Sequence, residues 1–232
     1  MNATHVIVRN IRRTPRRALE ALARAGASTV HEALGKRGFV GPDLSPIQPG
    51  VSIAGNALTV SCHPGDNLMV HAAIEVCGEG DVLVVTNTGP SNHGMIGELM
   101  ATSLMVRGVV GLVIDAGVRD VAELRKMGFP VWSRYVACLG TAKTTPGSVN
   151  VPVVLGDVSV DPGDVVCADD DGVVVIPFDE IEACLERCER RVAAEAEKRR
   201  RLASGELAVD IDGLRTKLRD LGVRYIDSEP PP

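Results

Sequence analysis

Arg119 and Asp120 stand side by side in the stretch GLVIDAGVRDVAELRKMG, residues 111 to 128. The stretch begins as an apolar run and ends as a charged helical pattern. The pair therefore falls at the seam, just past Ala116-Gly117-Val118, where the chain is expected to turn on the glycine. The two residue types have complementary chemistry. A guanidinium offers a planar fork to a carboxylate or a keto-acid oxygen. A carboxylate holds a hard divalent cation, directly or through waters. The plainer alternative is that Asp120 caps the helix that follows and Arg119 is a surface charge. A second loop, TGPSNHGMIGEL (88–99), is rich in small residues and opens a helix near Gly97. The unpaired N–H groups and positive dipole end of such a helix start suit a carboxylate. His93 lies in that loop and is the histidine to follow, against the ordinary role of a local hydrogen bond.

The elements that must position these residues follow from two periodicities. Helical spacing marks 16–26 and a second short helix from Ala27 to Gly35. Residues 51–62 read as a strand with Gly55 as a bulge, and a helix then runs to Val76. DVLVVTN (81–87) and VVGLVID (109–115) are short apolar strands flanking a helix over 97–108. Strand and helix in alternation argue for parallel βαβ units. In such sheets ligands bind beyond the carboxyl ends of the strands. Asn87 and Asp115 end two of these strands, so the two loops face one edge. The pattern then changes. PVWSR, SVNVPVVLG, VSVDPGDVVCAD and DGVVVIP read as strands joined by tight turns, Asp161-Pro162-Gly163 and Asp171-Gly172 among them, which suggests antiparallel hairpins. TVHE (29–32) matches a capping box, and the acidic run ADDDG (168–172) reads as a hairpin turn rather than a calcium loop. After Pro177 the chain looks helical. The expected organisation is an α/β domain over 1–177 and a C-terminal helical arm and tail over 178–232. Leu185, Val192 and Ala196 give that arm a narrow apolar stripe, which needs a partner surface such as a second copy of the chain.

Composition narrows the function classes. The 232 residues are 45% hydrophobic and only 3% aromatic, with a net charge of −5. The isoelectric point is about 5.6 and the mean hydropathy +0.11. An acidic chain of this kind does not look built for nucleic acid, and no apolar run approaches a membrane span. Cysteines at 62, 77, 138, 167, 184 and 188 form no CxxC pair and no secretory leader is evident, so a reducing cytoplasm is expected. Cys184 and Cys188 share a helix face, where packing is the ordinary role. HExxH, Walker A and G-x-G-x-x-G are absent, and no glycine-rich nucleoside loop follows the first strand, so a methyltransferase has no support.

The segments HGMIGELMATSLMVRGVVGLVIDAGVRDVAELRKMGFPVWSR, TPGSVNVPVV, PGDVVCADDDGVVVIP and LASGELAVD resemble one family. It is that of the 4-carboxy-4-hydroxy-2-oxoadipate / 4-hydroxy-4-methyl-2-oxoglutarate aldolases. These are class II pyruvate aldolases within the wider group of proteins similar to the regulator of ribonuclease E activity. The Gly-Glu-Leu-Met and Gly-Val-Arg-Asp combination is characteristic of the wider group, and the long arm favours the aldolase branch. The resemblance implies a swivelling, phosphohistidine-domain-like three-layer α/β/β sandwich, assembled as a homotrimer or homohexamer. It implies substrate contacts from the backbone amides of Gly97, Glu98, Leu99 and Met100 and from the Arg119 side chain. It places Mg²⁺ or Mn²⁺ on Asp120, largely through waters. Acidic residues from a neighbouring subunit are implied too, with Glu32 and Glu195 the candidates. The implied activity is retro-aldol cleavage, with oxaloacetate decarboxylation as a companion, in the breakdown of protocatechuate or gallate. The other branch, a non-catalytic protein-binding regulator of a ribonuclease, shares the fold and the Arg-Asp pair.

The residues agree with that chemistry. Retro-aldol cleavage of a 4-hydroxy-2-oxo acid needs a base for the C4 hydroxyl and an electron sink for the pyruvate enolate. Class I aldolases make the sink from a buried lysine. Lys36, Lys126, Lys143, Lys198 and Lys217 all lie in polar loops or charged helices. The expected sink is therefore a Lewis-acid metal chelated by the pyruvyl carboxylate and keto oxygen.

Overall fold

The computed structural model describes residues 5–227. Its first helices are α1 (Arg16–Ala25) and α2 (Ala27–Ala33). A short β1 (Ser45–Pro46) and the long β2 (Ile53–Cys62) follow. The βαβ core then runs α3 (Leu68–Ile74), β3 (Asp81–Asn87), β4 (Gly94–Ile96), α4 (Glu98–Val106), β5 (Gly111–Val118), α5 (Val121–Met127) and β6 (Val131–Val136). Next come β7 (Ser148–Val149), β8 (Val153–Leu155), β9 (Val158–Val160), β10 (Val165–Asp169) and β11 (Gly172–Ile176). The chain ends in α6 (Ile181–Ala203), α7 (Ala208–Ile211) and α8 (Leu214–Asp220).

A 9-stranded sheet has the order β1-β6-β5-β3-β2-β10-β11, with β4 beside β5 and β7 beside β2. β2, β3, β5 and β6 are parallel, while β10 and β11 join antiparallel. β3 is apolar from Val82 to Val85 because both of its faces are covered there. Leu83 and Val85 pack outward with residues of α3, α4 and α5, such as Val70, Leu104 and Leu124. Val82 and Val84 point to the other face, against Trp132, Val113 and the β8–β9 hairpin residues Leu155 and Val160. Helices, sheet and hairpin make the α/β/β layering. A third cluster joins α1, α2 and the start of α6 to β10 and β11 through Leu22, Val30, Cys167, Ile176 and Cys184.

One segment ties the two ends of the sheet together. Val40 N–H donates to Val173 O at 3.2 Å and Val175 N–H to Gly38 O at 2.9 Å, which binds this segment to β11. A few residues on, Ser45 and Pro46 pair with Ser133 and Trp132 of β6. The sheet is thereby curled into a nearly closed barrel.

Several local expectations change. PVWSR is the parallel strand β6, not part of a hairpin. Gly55 keeps regular register with Val166, so it is not a bulge. Its lack of a side chain is needed because a Cβ there would lie 2.7 Å from Gly80 O. The capping box fails: Thr29 is inside α2, which begins at Ala27. The cap comes instead from the acidic hairpin turn, where Asp169 Oδ2 accepts Ala27 N–H at 2.7 Å. Asp171 takes the Ser28 hydroxyl at 2.8 Å, and Asp170 accepts Gly50 N–H at 2.9 Å. The turn reading of ADDDG holds, as does the packing role of Cys184 and Cys188, both buried.

The chain divides into compact units Met1–Glu189 and Arg190–Pro232. Within the second, Lys198 pairs with Asp212 at 2.6 Å and Arg201 with Glu206 at 2.6 Å. Among the described residues no helix is long and apolar enough to cross a membrane.

Asp66 holds the entry to α3. Its buried carboxylate accepts the N–H groups of Leu68 (2.9 Å), Thr144 (2.7 Å) and Thr145 (2.8 Å) and the Thr144 hydroxyl. Burial works to raise this carboxyl, but the donors outweigh it and hold it well below the usual carboxylate range. The folded value lies below the unfolded one, so the contribution is complete above pH ~3.9 and is lost as pH falls toward the folded value. Asp66→Asn is expected to cost about 2 kcal/mol at pH 7 and to flatten the acid limb. Urea melts of both proteins from pH 7 to pH 2.5 check this; parallel limbs would contradict it.

Candidate active site

Strand β5 does not stop at Asp115. It continues to Val118 because β4 pairs with the extension, Gly94 opposite Gly117 and Ile96 opposite Val118. Gly117 N–H donates to His93 O at 3.0 Å and Arg119 N–H to Ile96 O at 2.9 Å. Gly117 is thus not a turn residue. A Cβ there would lie 2.7 Å from His93 O, so glycine is what allows the two loops to be laced together. Asp115 sits at an irregularity between β5 and β6. Arg134 Nε donates to its carboxylate while Arg134 Nη1 reaches Asp43 at 2.6 Å.

Asp120 follows directly and has φ 56°, ψ 37°, in the left-handed region. An L-residue with a side chain is held there at a cost of roughly 1–2 kcal/mol. It occupies the capping position of α5, and its carbonyl accepts Leu124 N–H at 3.0 Å. Its carboxylate makes no bond to that helix. The carboxylate crosses instead to the next element, where Oδ2 accepts Glu98 N–H at 3.2 Å at the start of α4. Among the described residues Oδ1 has no hydrogen bond. The plain reading of Asp120 as cap of its own helix is therefore overturned by the left-handed backbone.

Arg119 lies alongside, its Nε 3.9 Å from Asp120 Oδ2, with the two side chains 49% and 46% exposed. Its stem runs against Gly97, where a Cβ would meet Arg119 Cγ at 3.0 Å and Asp120 Oδ2 at 2.2 Å. Gly97 is extended, and its carbonyl accepts Ala101 N–H at 3.1 Å to begin α4. The N–H groups of Leu99 and Met100 belong to the first turn, which has no intrahelical partners. Leu99 is 79% exposed, so this end of the helix is open. The arrangement joins a guanidinium, a half-free carboxylate and first-turn amides, which together can grip an oxo acid.

The other candidates fall elsewhere. The Glu98 side chain turns along its helix and accepts the Thr102 hydroxyl at 3.0 Å, so only its amide faces Asp120. Glu32 is on α2, which packs on β10 and β11 toward the end of the sheet away from β5, with Lys36 3.9 Å away. Glu195 belongs to the second unit and pairs with Arg191 at 2.9 Å. His93 contributes its carbonyl to Gly117, while its ring packs over Gly65. Cys62 and His63 line a cavity of about 250 Å³, but burial, with help from Asp66, pushes the Cys62 thiol up to about 12. That thiol is no nucleophile at neutral pH. Asn67 was not anticipated. Its buried amide donates to Met95 O at 2.8 Å and lies 3.6 Å from Met100 Sδ, tying α3 to the start of α4. In the sequence it reads only as part of a turn, GDN.

A metal fits only in one style. Among the described residues no group of three His, Cys, Asp or Glu comes together. That excludes a zinc-type cage from a single copy of these residues. A lone half-exposed carboxylate suits Mg²⁺ or Mn²⁺, which keep most of their waters and add substrate oxygens.

Residues 27–175 match the family model described as RraA-like, Aldolase/RraA. The chain belongs to that family. A relative from Halalkalibacterium halodurans is 30% identical over 166 residues, 72% of this chain and 79% of its own. One from Shewanella oneidensis is 36% identical over 121 residues, 52% of this chain and 73% of its own. Both carry the name "Putative 4-hydroxy-4-methyl-2-oxoglutarate aldolase". A solved structure from Streptomyces coelicolor, RraAS2, titled an unusual member of the RNase ES inhibitor RraA protein family, superposes with TM-score 0.74 at 27% identity. The match covers 82% of this chain and 99% of that one.

Gly97→Ala tests the geometry directly. The added methyl must displace the Asp120 carboxylate, so the variant should lose about 1–3 kcal/mol and the Asp120–Glu98 contact. Thermal melts and a crystal structure of the variant check this; an unmoved carboxylate would refute the close packing.

Proposed function

We propose that this protein is a divalent-metal-dependent pyruvate aldolase, a carbon–carbon lyase acting on 4-hydroxy-2-oxo acids. The reading rests on one observation above all. Arg119 and Asp120 are held together at the open start of α4, and the Asp120 carboxylate makes no bond to α5. The substrate class is 4-carboxy-4-hydroxy-2-oxoadipate, giving pyruvate and oxaloacetate, or 4-hydroxy-4-methyl-2-oxoglutarate, giving two pyruvates. The relatives' names support this choice.

In this reading the 1-carboxylate and 2-oxo group lie against the first-turn amides of α4 and the Arg119 fork. A water at the seam takes the C4 hydroxyl proton, which it later gives back to C3, and the C3–C4 bond breaks. Its electron pair passes into the C2–C3 enolate, and the C4 fragment leaves as a carbonyl. Arg119 stabilises the charge that gathers on the C2 oxygen, and a proton returned to C3 completes pyruvate. Asp120 would hold Mg²⁺ or Mn²⁺. A divalent cation bound there supplies Lewis-acid stabilisation of the enolate. Loss of CO₂ from oxaloacetate reaches the same enolate, so decarboxylation accompanies the aldol activity. A lysine sink is disfavoured by position: Lys36, Lys126, Lys143 and Lys217 are exposed, and Lys198 pairs with Asp212.

Glu32 and Glu195 are proposed to reach a neighbour's seam in a homotrimer or homohexamer. Exposed Val192, Leu207, Leu221 and Tyr225 give the second unit apolar surface for such assembly. The expected setting is the cytoplasm, in aromatic-compound catabolism, without nucleic acid or membrane.

Pyruvate release from both substrates and from oxaloacetate should require Mg²⁺ or Mn²⁺ and resist borohydride. Pyruvate trapped on a lysine would overturn the mechanism. No release at any metal concentration would favour the non-catalytic regulator, a role the Streptomyces title attaches to its own family.

The paired residues should separate kinetically. Arg119→Lys keeps charge but loses the fork, and should lower kcat/KM by about 10²–10³ with metal affinity nearly unchanged. Asp120→Asn should weaken metal binding, and excess Mg²⁺ should recover part of the rate. Wild-type activity of Asp120→Asn at low Mg²⁺ would remove the metal assignment.

A further inference from the structure

Asp120 is not the only residue whose side chain leaves its own helix for the start of α4. Asn67 stands at the capping position of α3, where an asparagine ordinarily turns its side chain onto the first turn of that helix. Its carbonyl does serve α3, accepting the N–H groups of Val70 at 3.1 Å and His71 at 3.3 Å. Its side chain makes no capping bond; the neighbouring Asp66 accepts Leu68 N–H instead. Asn67 is 5% exposed and reaches across to the next loop. There its Nδ2 donates to Met95 O at 2.8 Å and lies 3.6 Å from Met100 Sδ.

The bond to Met95 braces β4 on the side away from β5. The β4–β5 register slips between Gly94 and Ile96. Gly117 N–H donates to His93 O and Arg119 N–H to Ile96 O. Met95, 1% exposed, lies between these two acceptors, and Asn67 supplies a donor for its carbonyl. A carbonyl can only accept, so the amide nitrogen must face it. The amide oxygen is then buried without a partner among the described residues. A forgone cap and an orphan oxygen both disfavour stability, so the side chain is not placed for the sake of α3. What it fixes is the run from Met95 to Met100. Within that run Ile96 O takes the Arg119 N–H, Gly97 leaves room for the Asp120 carboxylate, and Leu99 and Met100 carry first-turn amides. The start of α4 is thus held from both sides, by Asn67 of the α3 loop and by Asp120 of the α5 loop.

We infer that Asn67 is a positioning residue of the seam, which aims the first-turn amides of α4 at the pyruvyl carboxylate. The inference rests on the aldolase reading, since that reading brings a carboxylate there. Asn67 touches no substrate and acts through Met95 and Met100. The amides it aims serve substrate and transition state alike, so its loss appears in KM more than in kcat.

Two variants of the full chain test this. Asn67→Ser can cap α3 itself but is too short to reach Met95 O, and Asn67→Leu keeps volume without a donor. In both, KM for the 4-hydroxy-2-oxo acid should rise roughly tenfold while kcat falls less than about threefold, the effect of misdirecting one charge-assisted bond. Oxalate, a planar analogue of the pyruvate enolate, should bind by calorimetry with Mg²⁺ present and weaken by the same factor in both. Unchanged KM and unchanged oxalate affinity in the two variants, with only a lowered Tm, would make Asn67 a structural brace and overturn the inference. The wild type judges the aldolase reading separately. If it binds oxalate with Mg²⁺ yet releases no pyruvate, that reading fails and the oxalate titrations of the variants still decide on Asn67. A wild type that binds no oxalate would overturn both.

Discussion

The candidate site depends on one backbone conformation. A residue at the start of a helix ordinarily has extended backbone and turns its carboxylate back onto that helix. Asp120 is left-handed, so its carboxylate is carried across to the first amide of α4. That single bond couples two helix starts belonging to two consecutive βα loops. The space for it exists because Gly97 has no side chain. The direction is kept by β4, whose pairing prolongs β5 to within one residue of Arg119. Loosening any of these would return Asp120 to α5 and leave Arg119 as an isolated surface cation.

The frame was legible because it is written in local periodicity. DVLVVTN is the strand β3 from end to end, and the helix read over 97–108 appears as α4. The Arg-Asp pair was legible as chemistry, since guanidinium and carboxylate differ from everything near them. What was hidden was non-local. GMI carries no strand signal, and β4 exists only because β5 lies beside it. Gly117 and Gly55 looked like a turn and a bulge, because a glycine does not announce whether it serves a turn or a close approach. The Thr29 capping motif lost to Asp169, a residue far along the chain that packs against the same helix start. The left-handed backbone of Asp120 has no mark in the sequence.

The frame itself is neutral about activity. A barrel-like sheet with helices outside supports different functions, and the site decides among them. Proteins of this family include relatives named as aldolases and a structure titled for ribonuclease inhibition. Asp81 is matched by Arg13 and Asp66 by backbone donors, so those two charges do structural work. Arg119 and Asp120 are the contrasting case.

The segment from Gly38 to Pro46 sets an order on biogenesis. It lies early in the chain, yet its partners are β6 at 131–136 and β11 at 172–176. During synthesis it emerges long before either strand exists, and the curl of the sheet cannot be completed until residue 176 has left the ribosome. The βαβ core, by contrast, pairs neighbours as they appear. Contacts of such wide sequence separation slow folding, because a long loop must be ordered before they form. Final closure is therefore a late event, and until then the inner residues Val40, Trp132 and Val173 lack part of their cover.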